Sequence, residues 1–385
     1  MQGPMQRSMQ SSSSPETTTL AGGGGLAVLL DRYRHRFDAE LAAWLDAKRR
    51  AVAAETPEAA ELVAAVAQLA TAGGKRLRPA LVAFTAAACG GDGTGVDGAA
   101  GRLALASELL HTYLLIHDDI MDHAEVRRGQ PAAHAAFARR HRDGGLAGDG
   151  RDFGVTAAIL AGDLAHAWAH ELADDAGDRL PQGRRRAVEA AFAATAQEVI
   201  GGQYLEILLS RRRAGTAEQL SRALRLKSGR YSVERPIQLG ALAAGADAAT
   251  LASLSIYGAA LGEAFQLQDD VLGTFGDPGE VGKPTASDLE EGKFTFLVFH
   301  ALEALPAADA ARLRAALGRG PLPADELGEL RGLLRASGAL ARVQGMIAER
   351  LTTARAAFAD LEPRLAGDGG GFLAGFIDYV AERRR

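Results

Sequence analysis

Asp118, Asp119 and Asp122 stand in the stretch LLHTYLLIHDDIMDHAEVRRGQP (109–131), where an apolar run ends in three carboxylates and two guanidinium groups follow. Residues three or four apart share a helix face, roughly 5–6 Å apart at Cβ. Asp118 and Asp122 are such a pair, with His111 two turns back on the same stripe. Two carboxylates that close repel unless a cation sits between them, and a hard divalent ion is the natural one. FQLQDDVLGTFGD (265–277) repeats the pattern: Phe265, Leu267, Val271 and Leu272 lead into Asp269 and Asp270. Either cluster alone also describes a solvated helix end. Two built alike point to facing acidic helices that form a multi-carboxylate metal cage. The Glu-x-x-His elements of di-iron bundles are missing, and His117 and His123 offer too little imidazole for a soft-ligand site. Magnesium fits better, since it takes carboxylate and water ligands and commonly bridges protein to phosphate.

The cations complete this chemistry. GGKRLRP places Lys75, Arg76 and Arg78 within one turn, VRRGQP adds Arg127 and Arg128, and Lys227, Lys283 and Lys293 follow. Any one of them taken alone reads more readily as a surface charge than as a ligand. Their concentration beside Gly-Gly, Arg-Arg-Gly and Gly-Lys-Pro elements, where backbone can approach a ligand closely, suits a polyanion. Carboxylates for a metal together with these basic groups imply a substrate carrying diphosphate.

Helices must position these groups. From Leu26 onward the chain is rich in Ala, Leu, Arg and Glu, strong helix formers. Aromatic residues are only 5%, and alternating β-branched runs are scarce, so strands find little support. Leu26, Leu29, Leu30, Tyr33 and Phe37 make a helical stripe. Gly and Pro punctuate the chain at 89–98, 142–152, 276–288 and 318–326, leaving segments of three turns or more between them. AFTAAACGG and LEILLS are the weakest helical segments. No 20–50-residue repeat marks a solenoid. The expected architecture is all-α: a disordered tail over residues 1–25, then one large helical domain over 26–385.

Composition excludes other classes. With 385 residues, 47% of them hydrophobic, the chain can bury a large core. A net charge of -5 gives no reason to expect nucleic acid or an anionic membrane as partner. Arginine triplets at 184–186, 211–213 and 383–385 read as solvated helix ends. Cys89 is the sole cysteine, so no internal disulfide can form. No uncharged run reaches the ~18 apolar residues of a membrane span, and the tail lacks a signal-peptide core. The expected compartment is the cytoplasm.

GGKRLRP, HDDIMD…RRGQP, KSGRY, FQLQDD and GKP…DLEEGK, in that order from about Gly73 to Lys293, resemble the motif set of the trans-prenyltransferases. These are the head-to-tail isoprenyl diphosphate synthases, and the likeness is greatest to bacterial geranylgeranyl diphosphate synthases. The resemblance implies a bundle of the isoprenoid synthase type around a central apolar cavity, several magnesium ions, a homodimer, and condensation of isopentenyl diphosphate with allylic diphosphates. It implies metal binding by Asp118, Asp119, Asp122, Asp269 and Asp270. Isopentenyl diphosphate would lie on Lys75, Arg78, His111 and Arg128. The allylic diphosphate would lie on Arg127, Lys227, Ser228, Gln266, Lys283 and Lys293. Lys227, Ser228 and Gln266 would also face the reacting carbocation. Ser228 replaces the family's more usual threonine and keeps its hydroxyl, whereas Gly273 leaves the third acidic position of the second motif empty. Tyr113, with Leu114 beside it, would floor the tunnel for the growing chain and give a twenty-carbon product; a farnesyl or longer-chain product is the alternative. A terpene cyclase would not need GGKRLRP or RRGQP. A non-catalytic subunit would have lost more than one acidic position.

Overall fold

The computed structural model describes residues 23–93, 95, 97–276 and 287–383. The expected tail lies outside the described residues up to position 22, and the first helix already begins at Gly23. The helices are α1 (Gly23–Glu55), α2 (Ala60–Thr71), α3 (Leu77–Ala88), α4 (Ala99–Met121), α5 (Ala133–Asp143), α6 (Gly150–Asp178), α7 (Gln182–Arg212) and α8 (Ala217–Leu224). A π-helical segment (Arg225–Glu234) leads into α9 (Arg235–Ala244) and α10 (Ala248–Phe275). Six more follow: α11 (Ser287–Glu291), α12 (Phe296–Ala304), α13 (Ala307–Ala316), α14 (Ala324–Ala336), α15 (Ala339–Leu361) and α16 (Gly367–Ala381). LEILLS lies inside α7, and of AFTAAACGG the first six residues complete α3 while Cys89, Gly90 and Gly91 lie beyond its end.

Two helices organise the bundle. α4 packs against α6, α3 and α9, and α10 packs against α15 and the π-helical segment. Leu103, Leu105, Leu109, Leu110 and Ile116 are all fully buried on α4, as expected of a central helix that is apolar all round. At about 2 kcal/mol each they outweigh the ~0.3–1 kcal/mol that each carboxylate loses at the negative end of a helix. The acidic residues of both helices stand at that unfavourable end, so packing holds them where local electrostatics would not. α10 also has the length and hydropathy of a membrane span, but Leu254, Tyr257, Leu261 and Leu267 are buried against neighbouring helices.

The one strand pair among the described residues is a small hairpin of β1 (Val126–Arg127) and β2 (Gln130–Pro131). Arg128 and Gly129 at its tip have φ of 52° and 73°, the turn that two-residue hairpins prefer. A non-glycine residue there stores strain.

Candidate active site

α4 and α10 end at one cleft of about 760 Å³, lined by Asp118, Asp122, Arg127, Arg128, Lys75, Lys227, Ser228, Gln266, Asp269, Asp270 and Lys293, among others. On the first acidic face, Gln203 donates to Asp118 Oδ1 at 3.1 Å. Asp122 caps the helix, its N–H bonded to the Asp118 carbonyl at 2.8 Å. Burial and the neighbouring Asp118 charge push the Asp122 carboxyl up to about 7. Asp119 is fully buried, is not among the cleft-lining residues, and accepts from Arg127 Nε at 2.7 Å and from Nη2. The second face lines the cleft from α10. Gln266 donates to Asp270 Oδ1 at 2.8 Å, and burial, then the nearby Asp288 charge, raises the Asp270 carboxyl well above its usual range. Asp269 is ion-paired to Arg383 at 2.6 Å.

The basic groups form two sets. Arg78 stacks on the Tyr231 ring, 4.3 Å from its centroid, and donates to Ser232 Oγ at 2.7 Å. The Tyr231 hydroxyl is hydrogen-bonded to His111 Nδ1. Burial, then the Arg78 and Arg128 charges, holds the His111 imidazole well below its usual pKa, so it serves as a neutral hydrogen-bonding group. Arg128 donates to the Gly73 carbonyl. Gly74 has φ +140°, and a Cβ there would come within 3.3 Å of the Arg128 guanidinium, so glycine at 74 lets the backbone pass close to Arg128. Arg76, by contrast, is structural: it is buried, donates to Asp38 at 2.7 Å and to the Ala70 carbonyl at 2.7 Å, and pairs with Glu108.

The other set is held by carboxylates. The π-helical segment carries Lys227, which bonds Glu206 and lies 3.9 Å from Asp118. Such widened turns recur at functional sites. Lys293 lies 2.7 Å from Glu291 and 3.2 Å from Asp288. Burial works against both ammonium charges, but these acids outweigh it and raise both pKa values.

Some sequence expectations fall elsewhere. Lys283 lies outside the described residues. Tyr113 and Leu114 are not among the lining residues; the Tyr113 ring lies 4.7 Å from both His117 and His166, toward α6. Leu209, Leu220, Leu224, Leu272 and Phe296 make the apolar wall instead. Arg383 is no solvated helix end but a lining residue; Arg384 and Arg385 lie outside the described residues. Glu206, Asp288 and Glu291 also line the cleft and carried no motif signal of their own beyond DLEEGK.

Among the described residues no three acidic, histidine or cysteine side chains converge as a closed metal cage would. The donor set nevertheless fits magnesium: hard oxygens, pushed together and partly desolvated, flank an open cleft and leave positions for phosphate and water.

A model of the family described as polyprenyl synthetase matches residues 59–332, which include both acidic faces. A short chain isoprenyl diphosphate synthase from Methanothermobacter thermautotrophicus is 35% identical over 275 residues, 71% of this chain and 76% of that protein. A nonaprenyl diphosphate synthase from Mycobacterium tuberculosis is 34% identical over 315 residues, 81% and 84%. The crystal structure of a geranylgeranyl pyrophosphate synthase from Corynebacterium glutamicum, complexed with isoprenyl diphosphate and magnesium, superposes with a TM-score of 0.85 at 31% identity. That match covers 92% of this chain and 99% of that one.

Proposed function

The chain belongs to the polyprenyl synthetase family, and from that premise we propose how its cleft divides the work. It is an isoprenyl diphosphate synthase, joining isopentenyl diphosphate to an allylic diphosphate and releasing pyrophosphate. The observation that carries this is the meeting of two acidic helix ends and two basic sets in one cleft with an apolar wall.

Lys75, Arg78, Arg128 and neutral His111 hold the diphosphate of isopentenyl diphosphate. Arg127, Lys227, Ser228, Gln266, Lys283 and Lys293 hold the allylic one. Magnesium bound between the diphosphate and Asp118, Asp122, Asp269 and Asp270 would stabilise the charge on the leaving group. The basic side chains share that charge as the allylic C–O bond breaks. The isopentenyl double bond then forms the new C–C bond, and the proton leaves to the released pyrophosphate. Lys227, Ser228 and Gln266 present their polar ends near the cation while the leucine wall excludes water.

Geranylgeranyl diphosphate is the main product on this reading. A longer product is the second reading, favoured by the nonaprenyl relative. A homodimer is consistent with Ile159 and Leu160 on α6 and Ile200 and Tyr204 on α7, which are exposed. The cytoplasm is consistent with the single cysteine. Purified protein given magnesium and both diphosphates should release pyrophosphate, and chromatography of the dephosphorylated alcohols should show twenty carbons. A fifteen-carbon main product would overturn the length assignment; twenty-five or more would select the second reading. Tyr113→Ala should lengthen the product, and an unchanged distribution would remove Tyr113 as the ruler.

A further inference from the structure

We infer that a second cavity, separated from the catalytic cleft by the β1–β2 hairpin, binds a phosphate-bearing anion. Its volume is about 590 Å³. Val126 and Gly129 border both spaces, whereas Arg127 and Arg128 line the catalytic cleft and Gln130 and Pro131 line the second cavity. One face of α5 forms a wall of it, since His134, Ala138, Arg139 and Arg142 recur at helical spacing. α6 contributes Arg151. The two helices meet closely at Gly154, where a Cβ would come within 2.3 Å of the His134 carbonyl oxygen and 3.0 Å of the Ala138 backbone nitrogen. Those are backbone atoms that cannot swing aside, so glycine at 154 is what lets α6 lie against α5 here.

The charges around this space are not balanced from within. Arg139, Arg142 and Arg151 line it, and Glu125 is the one carboxylate among its described lining residues. The Arg139 and Arg151 guanidinium groups have no hydrogen bond or ion pair among the described residues, and Arg142 has only the exposed Asp143 at 3.5 Å. Asp149 is close enough to Arg151 for their charges to interact, but its Oδ1 accepts from the backbone N–H groups of Arg151 and Asp152. Like charges gathered around one cavity repel unless an opposite charge sits between them. His134 is an independent sign. It is only 8% exposed, and its Nδ1 is buried without a hydrogen-bond partner, a state that native proteins rarely leave unexplained. A ligand with several anionic oxygens answers both observations. Guanidinium forks match phosphate oxygens, and the His134 nitrogen gains a ligand oxygen or a water that the ligand holds. A single carboxylate would neutralise only one of the three cations. The ligand is therefore a phosphate or diphosphate group, either free or as the head of a prenyl chain. None of these side chains takes part in the reaction proposed for the cleft.

The test labels the arginines of the full chain with phenylglyoxal at fixed ionic strength and reads each site by peptide mass spectrometry. Inorganic diphosphate should slow labelling of Arg139 and Arg151 several-fold, with half-protection at or below about 1 mM. Arg140, on the same helix but paired with Glu61, should keep its rate. Chloride at equal ionic strength should protect none of them, since screening alone does not select a site. Geranyl diphosphate is the second probe. Tighter protection by it assigns the site to a lipid head group, and equal or weaker protection assigns it to the free anion. Calorimetry with inorganic diphosphate should resolve one more site in wild type than in Arg139→Gln/Arg151→Gln, whose two exposed positions leave the fold intact. Unchanged labelling of Arg139 and Arg151 would overturn the inference. So would equal slowing of Arg140, or the same calorimetric stoichiometry in the double variant. Because each labelled residue is outside the catalytic cleft, failure here leaves the proposed reaction standing, and loss of that reaction leaves this site standing.

Discussion

The two acidic faces differ in where their third carboxylate goes. On α4 all three aspartates are local, and Asp119 is turned inward onto Arg127. On α10 only two are local, and position 273 is a glycine that lies close to the Asp288 carboxylate of another element. The first face thus spends one carboxylate on fixing a cation, while the second has no side chain at the matching position. The difference shows that equal motif letters need not have equal surroundings: Asp119 is buried against Arg127, whereas Asp270 borders the cleft.

The sharpest way to break this comparison is to remove the leading residue of each face. Asp118→Ala and Asp269→Ala should each lower turnover by at least ~10²-fold, the size of losing one charge-stabilising group. Steady-state kinetics at saturating magnesium decides it. Near wild-type turnover in either variant would mean that this face does not hold the metal.

Asp119 separates the two designs further. Asp119→Ala leaves the Arg127 guanidinium without its buried partner and should destabilise the fold by about 3 kcal/mol, measured by urea unfolding. Asp119→Asn should raise the KM for the allylic diphosphate while Mn²⁺ affinity stays close to wild type. A loss of Mn²⁺ affinity matching that of Asp122→Asn would return Asp119 to the metal-facing set.

Much of the first face was legible in the sequence because it is local. A helix turns 100° per residue, so the spacing that pairs Asp118 with Asp122 already points Asp119 elsewhere. The all-helical frame, and the breaks before α4, between α5 and α6 and before α14, followed from propensity and from glycine and proline. What the sequence left hidden depends on distant packing. Nothing near Gly273 announces that the Asp288 carboxylate lies close to it. The KSGRY letters do not announce a π-helical turn under Lys227. Tyr113 lies five residues before Asp118, which fixes its depth but not whether it faces the cavity or, as here, the histidines at 117 and 166.

The cationic rim of the first face has a pH signature of its own. His111 faces Arg76, Arg78, Arg127 and Arg128 as well as the Tyr231 hydroxyl, and its pKa is lowered in the fold. Between the ordinary value of about 6.5 and the lower folded value, the unfolded chain binds the extra proton. Stability from this group is therefore complete above about 6.5 and falls as the pH drops below it, by at most about 1.4 kcal/mol per pH unit. His111→Asn should flatten the acid limb of the plot of Tm against pH. An equally steep limb in the variant would show that another group carries it.

The smallest expected effect concerns Arg383, which the second face has and the first lacks. Asp118 has cations at 3.8 and 3.9 Å, Arg127 and Lys227, but each is already held by a nearer acid, Asp119 and Glu206. Asp269 has Arg383 at 2.6 Å, and the guanidinium is itself seated on the Phe265 ring, 3.9 Å from the centroid. In the substrate-free enzyme an ion approaching Asp269 must compete with that arginine. Arg383→Ala should therefore tighten Mn²⁺ binding, by roughly 1.5- to 5-fold, the range of a partly exposed ion pair. The gain should shrink at high ionic strength, because exposed pairs are screened. Weaker binding in the variant would mean that Arg383 orders the second face rather than competing for it.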